Sequence, residues 1–77
     1  MIYDTEEAMY VLSASPTTED LLQITEFIIY KQKNNKINSE QASFLYDIIQ
    51  CISRLDEGFE KRYYCNTLIQ QMSQIIK

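Results

Sequence analysis

The side chains best able to do chemistry in this sequence are two thiols and a few adjacent carboxylates. Cys51 and Cys65 stand seven residues before and after Gly58. If an antiparallel helical hairpin turns at that glycine, the two lie at the same height, each on the apolar face of its helix. Such a pair could act as a redox-sensitive clip, or serve as two small buried thiols that let the helices approach. A disulfide needs Cα atoms within about 7 Å, closer than most helix pairs come. Buried free thiols are therefore the expectation. The carboxylate pairs Glu19–Asp20 and Asp56–Glu57 fall at helix ends with no evident partner cation, nucleophile or pocket, so neither is set up for general acid–base work.

The inventory removes other activities. There is no histidine, which excludes imidazole catalysis, His-dependent triads and His metal sites. Two cysteines cannot complete a four-ligand zinc site in one chain. A single glycine rules out the glycine-rich loops that cradle phosphates. No catalytic, cofactor-binding or metal residues are expected, and a domain of this size hardly encloses a ligand cavity of about 300 Å³. The chain reads as no enzyme.

The elements that carry these residues must be helical. With one Gly and one Pro among 77 residues, the repeated tight turns of a sandwich or barrel cannot be made. At 45% hydrophobic and 23% charged the chain is too apolar to stay disordered. The expectation is an all-α fold, a single domain over 1–77, a small bundle of three to four helices near 4–12, 17–33, 39–57 and 60–76.

In the first helix Ala8, Val11 and Leu12 share a face and Asp4, Glu6 and Glu7 suit the positive end of the dipole. Thr17 with Asp20 resembles a capping box opening the second helix, and Asn38 with Gln41 another opening the third, with Ile37 as a staple. Lys31, Lys33 and Lys36 meet the carbonyl end of the second helix. In that helix Leu21, Leu22, Ile24, Phe27, Ile28 and Ile29 span an arc of roughly 220° at 100° per residue. So wide an arc needs two neighbours, which makes this the central helix or leaves one flank for another chain. The third helix is the most regular, with Leu45, Ile48, Ile52 and Leu55 in one seam. That seam would run into Arg62, Asn66 and Ser73 if the helix continued. Gly58 is therefore read as the residue that stops it, with Phe59 as the contact that follows; one long helix kinked at Gly58 is the alternative.

Charge is segregated along the chain. Residues 1–30 hold Asp4, Glu6, Glu7, Glu19, Asp20 and Glu26 with no Lys or Arg, giving −6 where the whole chain has a net −4. The basic clusters at 31–36 and 61–77 lie at opposite ends of the third helix, about 30 Å apart, and cannot form one phosphate-binding patch. Nucleic-acid binding by a DNA-binding regulator is the least favoured reading. Six tyrosines are more than the stripes can bury: Tyr30 and Tyr63 fall away from them and Tyr46 at an edge. Exposed tyrosines suit interfaces, or pack at edges with the hydroxyl in water.

Residues 21–55, a helix, a short Asn-Lys-Ile loop and a second apolar helix, resemble the helical bundles of small bacteriocin immunity proteins from low-GC bacteria. That resemblance implies a bacteriocin-immunity-like helical protein as one alternative. Richness in Ile, Lys, Asn and Tyr fits an AT-rich bacterium or a phage or mobile element of one.

The leading expectation is a small acidic protein–protein interaction module, an inhibitor, adaptor or regulator that binds a partner protein with a basic surface through Glu6, Glu7, Tyr10, Glu19 and Tyr30. A self-associating structural subunit, a homodimer joined through Leu22 and Ile29, is the alternative. No cofactor is expected. The N-terminus lacks the positive and apolar regions of a secretory signal and no run approaches a membrane span, so a cytoplasmic location is expected.

Overall fold

The computed structural model describes residues 1–76. Its four helices are α1 (Thr5–Ser13), α2 (Thr18–Lys33), α3 (Ser39–Ser53) and α4 (Phe59–Ile75), with no strand among the described residues. The fold is a small all-α bundle, and its longest dimension is 34 Å. An unbroken helix over 39–76 would measure about 57 Å, so the long kinked alternative is excluded.

Three helices start as their cap residues dictate. The Asp4 carboxylate accepts from the Glu7 N–H at 2.8 Å. At α2 the Asp20 N–H donates to Thr17 Oγ1 (3.1 Å) while the Thr17 N–H donates to Asp20 Oδ2 (2.9 Å). At α3 Asn38 and Gln41 exchange the equivalent bonds at 2.8 and 3.0 Å, and Ile37 beside them is buried. Each reciprocal pair satisfies two backbone donors that the helix itself cannot.

Helix α2 ends through its backbone as well as its lysines. Asn35 adopts φ 60°, the Asn35 N–H donates to the Gln32 carbonyl (3.0 Å) and the Lys36 N–H to the Lys31 carbonyl (2.9 Å). This is a Schellman stop with asparagine in the left-handed position usually given to glycine.

Gly58 does not stop α3. That helix ends at Ser53, and the Arg54 and Leu55 N–H groups close it by donating three residues back to the Cys51 (3.3 Å) and Ile52 (3.2 Å) carbonyls. Asp56 and Glu57 would oppose the carbonyl end of α3 if the helix ran on to 57, and they sit instead ahead of the positive end of α4. Gly58 is the N-cap of α4, with φ 147° and ψ −168°, a region that is essentially glycine's alone. Phe59, expected as a packing contact, is 87% exposed, because the first turn of α4 points it outward.

Five-residue links, 34–38 and 54–58, fold α3 back on α2 and α4 back on α3, and α1 closes against α4. The packing order is thus α2, α3, α4, α1. Helix α2 lies at one end of that series and is not the central helix, because short links make sequence neighbours into spatial neighbours and α1 turns to α4. Leu12, Ile24, Ile28, Leu45, Ile52, Leu68 and Met72 are fully buried between the layers. The stripe Cys65, Leu68, Met72 and Ile76 is buried as its spacing requires,.

The far flank of α2 pays for this arrangement. Leu22 is 56% and Ile29 39% exposed. The two-sided arc has one neighbour along its length, and its other side meets solvent.

Candidate functional site

Two concavities differ in what lines them. The larger is an open groove of about 480 Å³ between the first three residues and α2. Its α2 wall is the row Glu19, Gln23, Glu26 and Tyr30, with Phe27 at the floor. These positions follow i, i+4, i+7 and i+11 and so stand in one line along the helix. The opposite wall is Met1, Ile2 and Tyr3. Burial of Ile2 anchors that wall, and the Tyr3 N–H donates to Glu7 Oε1 at 3.1 Å. A groove of this size was not expected from so short a chain; it exists because the extended residues before α1 cross the side of α2, forming a wall that helix packing alone would not supply.

The rim is aromatic and acidic. Tyr3 is 73% and Tyr30 61% exposed. Among the described residues the sole ion pair is Lys61 with Glu57, so neither Glu19 nor Glu26 is paired with a described cation. Lys31, one turn beyond Phe27, lays its ammonium over that ring 5.4 Å from the centroid and pairs with neither carboxylate.

The smaller cleft, about 230 Å³, opens where α1 meets the start of α4, with Ser15, Pro16 and Gly58 around it and Cys65 at its base. Here the cations are committed. Arg62 donates from Nη1 to the Leu12 carbonyl (3.2 Å) and from Nη2 to Ser15 Oγ (3.3 Å). Leu12 lies in the last turn of α1, so Arg62 caps that helix from another one. Lys61 Nζ donates to Glu57 Oε1 at 3.0 Å.

The two cysteines do not share an environment. Cys65 is buried and Cys51 is exposed, and both are free thiols. The expectation of two thiols on facing apolar surfaces fails at Cys51, which lies with Glu40 and Phe44 on a flank of α3 that the core residues Leu45, Ile49 and Ile52 turn away from the bundle,. Burial pushes the Cys65 thiol up; Arg62 and Lys61 pull it down, Glu57 pushes it further up, and burial prevails. A nucleophilic thiol needs the opposite shift. Burial also raises the Tyr46 hydroxyl.

The residues expected to bind a partner fall in two places. Glu19 and Tyr30 share the groove. Glu6 and Tyr10 are exposed on the outer face of α1, and Glu7 is engaged with Tyr3. Leu22 and Ile29 lie about 80° around α2 from the groove row at 100° per residue. The sequence reading missed Gln23 and Glu26 as companions of Glu19 and Tyr30, although their helical spacing was available. It also missed the Met1–Tyr3 wall, for which three hydrophobic residues ahead of the Asp4 cap were the sole signal.

Among the described residues no group of three or more His, Cys, Asp or Glu could hold a metal ion, and no helix is long and apolar enough to cross a membrane. Comparison of the chain with protein-family models, curated proteins and solved structures finds no match.

Proposed function

We propose that the chain works by contact, as a small protein–protein interaction module that inhibits, adapts or regulates a cytoplasmic partner protein with a basic surface, with no turnover of its own. The observation that carries this reading is the groove, where Glu19 and Glu26 stand between exposed tyrosines and pair with no cation among the described residues. Tyrosine supplies large contact area at low entropy cost, and carboxylates left unpaired attract cations from outside. Capture from host lysate on the immobilised chain, followed by a salt wash series, tests it. The expected result is a stoichiometric partner released between low and high ionic strength. Recovery of no partner, or of one indifferent to salt, would count against the reading.

Self-association is the second reading, and it rests on Leu22 and Ile29 in solvent along one flank of α2. Light scattering across a concentration series separates the two. A monomer at every concentration removes self-association.

A further inference from the structure

We infer that the groove between residues 1–3 and α2 receives one amphipathic helix of a partner, whose Lys or Arg residues recur at i and i+7 and meet Glu19 and Glu26. The inference rests on the proposed interaction function and names the chemistry of the segment that binds.

The spacing selects the helix. Glu19 and Glu26 are seven residues apart on α2, a rise of about 10.5 Å. A helix lying along the groove repeats one face every seven residues over the same distance. An extended strand repeats a face at about 6.6 or 13 Å, and neither fits the two carboxylates. Between them Gln23 offers a neutral amide, and the exposed apolar surface of Met1, Tyr3 and Tyr30 around the buried Phe27 can receive the partner's intervening side chains.

Charge sets the sign of the occupant. Of the residues lining the groove, Glu19 and Glu26 are acidic and none is Lys or Arg; with the Met1 α-ammonium on the opposite wall, the α2 wall itself is negative. Tyr3 and Tyr30 flank the carboxylates with exposed rings, and aromatic faces accept cations, as Phe27 already does for Lys31 at 5.4 Å,. The Lys31 ammonium, held over the Phe27 ring at the floor, repels a cation set on that ring, so the partner's cations are met by the carboxylates of Glu19 and Glu26.

The test uses the full chain and two blocked Leu/Ala peptides of identical composition, one with its two arginines seven residues apart and one with them five apart. Amide shifts of Gln23, Glu26 and Tyr30 are followed by NMR at low salt. The seven-spaced peptide should bind about fivefold more tightly, and Glu19→Gln and Glu26→Gln should each weaken it about two- to fivefold. Glu40→Gln on α3 should leave it unchanged. Equal affinity for the two peptides, or no binding of either, would overturn the inference. Failure of the wider reading looks different: the unaltered chain then captures no partner at all, whereas a partner retained in full by the Glu19→Gln/Glu26→Gln double variant refutes the groove alone.

Discussion

The cleft at the start of α4 and the groove beside α2 put the same kinds of side chain to opposite uses. In the cleft each charge completes the fold: Arg62 holds the end of α1, and Lys61 holds Glu57. In the groove Glu19 and Glu26 form no ion pair among the described residues and Tyr3 and Tyr30 stand exposed, although Glu19 also faces the positive end of α2. A charge near a hydrogen-bonding partner of its own chain contributes to stability, whereas a charge left alone on a rim costs little and remains available. Exposure by itself would not separate them, since Glu57, at 71% exposure, is as wet as the groove residues.

The largest expected effect that sharpens this contrast is in the thiols. Cys65 at the base of the cleft is 1% exposed, while Cys51 stands in solvent. An aromatic disulfide reagent should label Cys51 at once and Cys65 at least about 100-fold more slowly, since reaction there waits for an opening that costs several kcal/mol. Two equally fast thiols would mean that the α1–α4 contact is loose and the cleft is not part of the fixed fold. The same burial has a pH consequence. The folded state keeps the Cys65 thiol protonated beyond its ordinary range, so folding binds the proton more tightly than the unfolded chain does. Stability is then full below the ordinary thiol range and falls as pH rises through it toward the folded value. Urea midpoints should drop over that interval, and Cys65→Ala should flatten the drop; the partly buried Tyr46 hydroxyl adds a loss of the same sign at higher pH.

Next in size is Gly58→Ala. No atom would meet the added Cβ within 4 Å, yet φ is +147°. The cost is therefore backbone strain without a clash, about 1–3 kcal/mol. A variant as stable as the parent would show that the link can re-form with an ordinary residue. Arg62→Ala follows, at about 1–2 kcal/mol once its partial exposure is discounted. In thermal melts that is roughly 4–8 °C for each kcal/mol. Lys61→Ala, beside it, should lose far less.

These residues mark where sequence reasoning reached and where it stopped. Local rules were legible: Thr17–Asp20 and Asn38–Gln41 each lie three apart, and their bonds form because a capping box needs nothing beyond its own turn. The seam of α3 was legible for the same reason, and Leu45, Ile48 and Ile52 are buried along it. Arg62 was not, because its acceptors lie 50 and 47 residues away, and in the sequence it is one member of a basic cluster. Gly58 was recognised as punctuation and assigned to the wrong helix, since a glycine signal has no direction until the backbone angle is known. Cys51 was misplaced through symmetry: equal spacing about Gly58 holds only if the turn is centred there, and α3 ends at Ser53 instead. In the groove, Glu19 and Tyr30 were picked for type alone, and the wall that makes them a site comes from residues 1–3.

The smallest effect tests the contrast most directly, because it makes one substitution in both places. Glu57→Gln removes an i,i+4 ion pair whose acid is largely in solvent, so it should cost about 0.3–0.5 kcal/mol at low salt and nothing measurable at high salt. Glu26→Gln has no pair to remove and lies in the middle of α2, away from either dipole end, so its stability should match the parent at both salts. Urea midpoints of the two variants at low and high ionic strength give four numbers, and three of them should coincide with the parent. If Glu26→Gln lost as much as Glu57→Gln, and lost it only at low salt, Glu26 would be serving the fold through a cation of its own chain. The groove would then be a second structural cleft, and its charge would not be free for a partner.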